Sequence, residues 1–502
     1  MSLSDPVLLV LLAAVLAAAI SWLLSRPTNR RYAPGPPIRP LLGNILDMPA
    51  QGDMLAFARC REQYGDIFFF HGLGYKVLVI NSMKAITDLF EKRHSIYSDR
   101  PAFTVVGELM RLGQSTPLLP YNDDWRIHRK LAHIALGPNA IKQYHHIQED
   151  LAALLSQQFL EAPEKFIDHV RLAVARVVLS VTYGLRVDKA DDEYVTHAED
   201  TMRMISEATV PGAFLADIFP SLKHLPSWVP FKRHARHGRE MIEHLVTTPF
   251  EYVKEQMQAG VAPPSLANHL LSEYDKGDID HQIKWATGSL YGAGGETSYA
   301  TTLTFMMAMA LHPEKQRLAQ EEIDRVIGSE RLPTINDKSQ LPYVNAAIKE
   351  TMRWKPAVPM SLARMVSEDD VYEGYFIPKG TIVLPNSWAV AYEHHGPYDP
   401  REYVPERWLV GEGEDAPVDP AQWAFGFGRR LCPGKPLAEN SIFIFISTLL
   451  SVFDISLPDE GELKPEFTMG LISYPLPFKC KITPRSASKV AQVSWRAAHC
   501  TI

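Results

Sequence analysis

Phe425-Gly426-Phe427-Gly428-Arg429-Arg430-Leu431-Cys432-Pro433-Gly434 is the stretch on which the reading of this chain turns. One cysteine stands among glycines at 426, 428 and 434 and arginines at 429 and 430. Glycine lets a backbone take up turns barred to other residues and approach a large flat ligand closely. Backbone N–H groups facing the sulfur would favour a thiolate, and a helix opening after Pro433 would add its positive end. Arg430 offers a cation to an acidic group on a ligand. An isolated cysteine is usually a small buried hydrophobe; these surroundings point instead to a ligating thiolate.

The other cysteines, Cys60, Cys480 and Cys500, are far apart, and no C-x-x-C spacing occurs. That argues against a zinc cluster or a disulfide framework and fits a reducing compartment. Any metal held by cysteine here is held by one. Hydrophobic residues make up 46% and charged residues 22%, so apolar material for a large core is ample. A net charge of -7 gives no footprint for nucleic acid, and none is expected as a partner.

Residues 6–24 read PVLLVLLAAVLAAAISWLL, without a charge. At the helical rise such a run spans about 28 Å, close to the roughly 30 Å hydrocarbon core of a bilayer. Asp5 precedes it and Arg26, Arg30 and Arg31 come after it. The expectation is a single-pass N-terminal anchor with its basic flank, residues 1–31, and a cytoplasmic body. Ala33-Pro34-Gly35-Pro36-Pro37 then forms a stiff hinge. A single catalytic domain is expected over residues 32–502.

Residues 66–80 read as two strands around a glycine turn, and from Ser82 onward most segments read as helix. Residues 151–160, 170–183 and 193–208 carry apolar side chains at helical spacing. Residues 284–311 predict a long helix buried on every side, yet Gly288, Gly292, Gly294 and Gly295 lie inside it. Another helix is expected over 336–354, strands within 375–384, and a helix over 433–453. The tail after Pro484 reads as polar and loose.

Three further patterns carry chemistry. Ala293-Gly294-Gly295-Glu296-Thr297 puts a carboxyl beside a hydroxyl inside the long helix. Glu350-Thr351-Met352-Arg353 sets an acid and a base three apart on one helix face, able to pair, and Pro405-Glu406-Arg407-Trp408 lies further along. Trp125-x-x-x-Arg129 lies on an early helix.

Phe425-x-x-Gly428-x-Arg430-x-Cys432-x-Gly434, with Ala438 after it, resembles the heme-binding loop of the cytochrome P450 family. The other patterns match that family in chain order, and the resemblance runs from the anchor to about Pro484. It implies a mainly α fold with small β-sheets. Heme b would be buried between the long central helix and the cysteine loop. Cys432 would be the axial thiolate to the iron, a ligand that pushes electron density onto bound oxygen. Trp125, Arg129, Arg364 and Arg430 would hold the heme propionates, and Phe425 would pack at the heme. Gly294 and Gly295 would open a groove beside it for dioxygen, locally distorting the helix. Thr297 would hydrogen-bond the oxygen and Glu296 would pass protons inward. Glu350, Arg353 and Arg407 would form a buried brace. Glu296 stands where many relatives carry Asp.

The same resemblance implies a monooxygenase fed by an NADPH-cytochrome P450 reductase in the endoplasmic reticulum membrane. Arg126, Arg129, Lys130 and Lys435 are candidates for meeting that partner. The substrate pocket would be lined by residues 103–119, Tyr291, residues 358–362 and residues 470–472. These are largely apolar, so the expected substrate is an apolar small molecule. Phe214, Phe219 and Trp228 would border its entrance. Several segments resemble fungal members of secondary metabolism, which suggests a terpenoid or similar scaffold. The alternative reading is an enzyme of the same fold that isomerises or dehydrates an oxidised substrate without a reductase. The relay at Glu296 and Thr297 argues for oxygen activation.

Overall fold

The computed structural model describes residue 15 and residues 30–500, apart from 41, 51, 210–212, 275–278, 394–396 and 412–416. All of the expected anchor but Val15 lies outside the described residues. No helix among the described residues is long and apolar enough to cross a membrane. Of the basic flank, Arg30 and Arg31 are engaged with the fold. Their guanidiniums stand 4.1 Å and 5.0 Å from the ring centroids of Phe376 and Tyr375.

The protein is mainly helical with small sheets. Strands β1 (Ile67–Gly72) and β2 (Tyr75–Ile80) pair antiparallel, with Ile67 opposite Ile80. Leu73 and Gly74 join them with φ of 50° and 86°, the left-handed pair that a tight hairpin needs. Strands β3 (Arg364–Met365) and β4 (Ile382–Pro385) complete the sheet in the order β1-β2-β4-β3. Two small hairpins pair residues 370–372 with 375–377 and residues 453–456 with 481–484.

The helices that place the site are α1 (Asp123–Leu136), α2 (His145–Glu161), α3 (Phe166–Tyr183) and α4 (Glu193–Ala208). The short α5 (Leu215–Ile218), then α6 (Pro230–Gln258) and α7 (Asp280–Leu311), come next. The last are α8 (Pro342–Trp354), α9 (Lys435–Val452) and α10 (Ala487–Ala498). The long helix α7 packs on α3, α6, α1 and α9. Every residue of its segment 298–310 is buried. The hydroxyls of Thr301, Thr302 and Thr304 donate to the carbonyl four residues back, so these polar side chains enter the core satisfied. Helix α9 is buried on every side over 441–452, as an apolar helix should be.

Two expectations need correction. The helix expected over 336–354 is broken. A 3₁₀ turn, Ile335–Gln340, ends before Pro342, which has no N–H to continue it and holds Leu341 out of the helical region. The tail is not loose. Helix α10 docks on α2. Val493 is buried, and Lys489 Nζ donates to the carbonyls of Gly328 and Arg331 at 2.8 and 2.7 Å. Arg496 reaches Asp150 and Glu149 at 2.8 and 3.1 Å. Its polar residues are anchors, which composition alone does not reveal.

Candidate active site

The cysteine loop is set by its backbone. Cys432 N–H donates to the Phe425 carbonyl at 2.8 Å, closing the turn. Gly426 and Gly428 have φ of 80° and 51°. A Cβ at Gly428 would lie 2.2 Å from the Phe90 carbonyl oxygen, so no side chain fits. Helix α9 begins at Lys435 and points its N-terminus at the sulfur.

The thiol lies deep among protein atoms, where desolvation pushes its pKa up. The N–H groups of Gly434 and Lys435 and the charges of Arg129 and Lys435 pull it down. Burial outweighs them, contrary to a net lowering by the loop. Yet the Cys432 side chain is accessible. Depth together with accessibility places the sulfur on an internal face of the fold rather than on its outer surface.

Two arginines converge near this loop. Arg364 Nη2 donates to the Phe427 carbonyl at 2.8 Å. Arg430 donates to the carbonyls of Ser98 and Leu119, each at 2.8 Å. The remaining arm of each, Nη1, is buried with no partner. Desolvation lowers their pKa values to about 9 and about 10, and the charge of Arg430 adds to the effect on Arg364. Arg100, which the sequence reading missed, is buried with them. It donates to the carbonyls of Pro117 and Leu362 at 2.8 Å and to that of Ala363. Buried guanidinium donors without acceptors are costly unless an anion meets them. An accessible internal thiol near orphaned cationic donors fits a planar group carrying a metal and two carboxylates.

Trp125 is buried with the Arg430 guanidinium 4.6 Å from its ring centroid. Arg129 turns inward and donates to the Leu431 carbonyl at 2.6 Å, so it is not free to meet a partner at the surface. Lys435 is likewise engaged, with the Ala421 carbonyl at 2.7 Å.

The brace is present. Glu350 is wholly buried and accepts from Arg353 Nε at 2.8 Å, Arg407 Nε at 3.0 Å and Trp408 Nε1 at 3.0 Å. It also accepts from the Val404 N–H at 2.8 Å. The arginines spend their other donors on the carbonyls of Ala391, Asp399, Pro400 and Glu402. Every group in the network is satisfied, the condition under which a buried charge cluster is tolerated.

Helix α7 borders two spaces. Thr297 and Ala293 line a cavity of about 540 Å³ with a mostly apolar wall. Phe103, Leu118, Val358, Leu362 and Ile472 are among its lining, as expected. Glu296 lines a separate space of about 30 Å³ with Arg171, Glu199, Tyr291 and Tyr299, room for a water. Desolvation raises the Glu296 carboxyl to about 6 against the pull of Arg171. Arg171 pairs with Glu199 and donates to the Tyr299 hydroxyl at 2.9 Å. These partners come from α3, α4 and α7, and no local motif marks them.

Some expected positions differ. Gly294 packs on α3: a Cβ there would lie 2.9 Å from Val178 Cγ2. The face of α7 toward the large cavity is carried by Ala293 and Thr297, and the helix runs unbroken through this stretch. Thr297 Oγ1 lies 3.4 Å from the Ala293 carbonyl. Tyr291 faces the small space, its hydroxyl donating to the Tyr194 carbonyl. Of the three aromatics expected at the entrance, Phe219 and Trp228 are exposed and Phe214 packs on His234; all three lie outside the cavity wall, which Ile218, next to Phe219, joins.

Residues 33–482 match the cytochrome P450 family. A cytochrome P450 monooxygenase, claR, of Ampulloclitocybe clavipes is 38% identical over 97% of this chain and 93% of its own length. The monooxygenase COX2 of Coprinopsis cinerea is 39% identical over 93% and 92%. A tryptamine 4-monooxygenase of Psilocybe cyanescens is 36% identical over 97% and 100%. The family binds heme b through a cysteine thiolate to the iron. This chain belongs to the cytochrome P450 family and is a heme-thiolate monooxygenase.

Proposed function

We propose that Cys432 is the thiolate ligand of the heme, and that the chain oxidises an apolar small molecule held in the cavity beside Thr297. The observation that carries this reading is the accessible internal thiol of Cys432 on a loop with arginines whose buried Nη1 donors meet no acceptor. Thr297 adds a hydroxyl on the wall of an apolar cavity.

The bound heme supplies activation of dioxygen, which places one oxygen atom in the substrate and releases the other as water. The protein does the rest. Arg364 and Arg430 offer their free Nη1 donors to the propionates, with Trp125 and Arg129 packed beside them and Phe425 closing the loop. The apolar wall excludes water from the reacting centre and orients the substrate. Thr297 Oγ1, bonded only weakly to its own helix, is free to donate into the cavity. Glu296 holds a proton reserve near neutrality. It lines a different space from Thr297, so the two side chains do not hand a proton over by direct contact.

The electrons come from NADPH through a cytochrome P450 reductase in the same membrane. Lys130 on α1 remains as an exposed cation for that partner, and Arg126 beside it is exposed but paired with Asp123. The apolar run 6–24 supports an anchor in the endoplasmic reticulum membrane, with residues 32–502 as one catalytic domain in the cytoplasm. The apolar wall and the fungal relatives support a substrate of secondary metabolism, such as a terpenoid.

The test is turnover of a panel of apolar scaffolds by membranes holding the enzyme, NADPH and reductase under heavy-isotope dioxygen. One labelled oxygen should appear in product. Product formed at full rate without NADPH or reductase would overturn the reading in favour of isomerisation or dehydration.

A further inference from the structure

The large cavity is mostly apolar, and nearly all of its polar side chains are hydroxyls. Among the described residues lining it, Asp217 is the one charged side chain. It sits on the short helix α5, away from the α7 wall that carries Thr297. Its Oδ1 accepts from the Val105 N–H at 2.9 Å. Its backbone carbonyl accepts from the hydroxyl of Tyr75, another lining residue. Among the described residues no lysine, arginine or histidine acts on this carboxyl; its neighbours are the N–H groups of Val105 and Thr104.

Those bonds do not exhaust the group. An ionised carboxylate has about four lone-pair sites, and the backbone here takes up two of them at most. Half-buried in an apolar wall, the remainder is short of both water and cations, which raises the carboxyl's pKa. A ligand with an N–H or O–H donor would supply what this carboxyl lacks. Tyr75 Oη adds an acceptor lone pair, because its proton is committed to the Asp217 carbonyl.

We propose that Asp217, with Tyr75 beside it, recognises a hydrogen-bond-donating head group, ammonium or hydroxyl, on an otherwise apolar substrate. Docking the head there fixes which end of the scaffold reaches Thr297. The proposal rests on the reading of this cavity as the substrate's. It turns a general preference for apolar molecules into one for amphipathic molecules with a single donor end.

Three probes of one skeleton test it: adamantylmethylamine, adamantylmethanol and methyladamantane. Their dissociation constants are measured on the heme-loaded enzyme by calorimetry, and their poses by the direction of the heme absorbance shift. One of the two donor probes should bind about tenfold more tightly than the hydrocarbon. Asp217→Asn keeps the acceptor for Val105 and removes the charge. If the head is an ammonium, this variant removes the amine's advantage. If it is a hydroxyl, the alcohol's advantage falls only in part in Asp217→Asn, and falls again in Tyr75→Phe. Methyladamantane should bind all forms alike, which shows that the cavity is intact. Equal affinities for the three probes, or a preference unchanged by both variants, would overturn the proposal. So would a red shift with the amine, since nitrogen would then be at the iron instead of at Asp217. Binding by none of the three would overturn the cavity reading beneath it.

Discussion

Arg364 and Arg430 are buried like charges, each bonded to backbone carbonyls and each left with an Nη1 donor that meets no acceptor. Neither forms an ion pair with a carboxylate side chain among the described residues. Folding two guanidiniums into this arrangement is unfavourable for the protein alone, and an anionic ligand makes it favourable.

Replacing Arg364 with Met should therefore weaken heme retention more than it weakens the fold. Losing one charge-assisted bond costs about 1.5–3 kcal/mol, or about ten- to a hundredfold in affinity. Heme transfer to an acceptor protein measures the loss, and a denaturant titration of the apoprotein measures the fold. Unchanged heme retention would remove Arg364 from the propionate site.

Glu350→Gln leaves Arg353 and Arg407 buried without their counter-charge. Breaking such a network costs about 3–5 kcal/mol. The midpoint of chemical unfolding should fall accordingly. A loss below about 1 kcal/mol would reduce the brace to the value of a surface pair.

At Gly428 a side chain meets two obstacles, a φ of 51° and the Phe90 carbonyl oxygen 2.2 Å from any Cβ. Gly428→Ala should displace the loop and yield protein that expresses with little heme. Full heme occupancy would show that the loop shifts without harm.

The Glu296 carboxyl is held at about 6, against an ordinary value of 4.5, chiefly by desolvation. Between those values the folded state binds more protons than the unfolded state, so this group makes stability fall as pH rises from about 4.5 to 6. Above that window the cost is about 2 kcal/mol. Glu296→Gln should then stabilise the protein by about that amount at pH 8 and have little effect at pH 4. The same variant should slow turnover and flatten its pH profile near 6. A stability gain equal at both pH values would show that ionisation at Glu296 is not its cause.

The parts of the site that lie on contiguous sequence are legible in the chain alone. The cysteine loop, the long buried helix and the Glu350–Arg353 pair each carry their geometry in local spacing. The correct reading of residues 66–80 rests on a two-residue turn with glycine. The illegible parts depend on long-range packing. The direction of Gly294 is set by Val178 on another helix. The small space at Glu296 takes Arg171 and Glu199 from two more. Arg100 and Asp217 lie in stretches with no pattern of their own, and only their convergence on the site identifies them. The tail reads wrongly from sequence because Lys489 and Arg496 look like solvated charges until their partners are seen.

The most direct test of the central claim is the absorbance of the reduced, carbon monoxide-bound protein, wild type against Cys432→Ser. The wild type should show the red-shifted band of thiolate-ligated heme, and the variant should lack it even where heme is retained. A variant that kept the band would place the ligand elsewhere and contradict the assignment of Cys432.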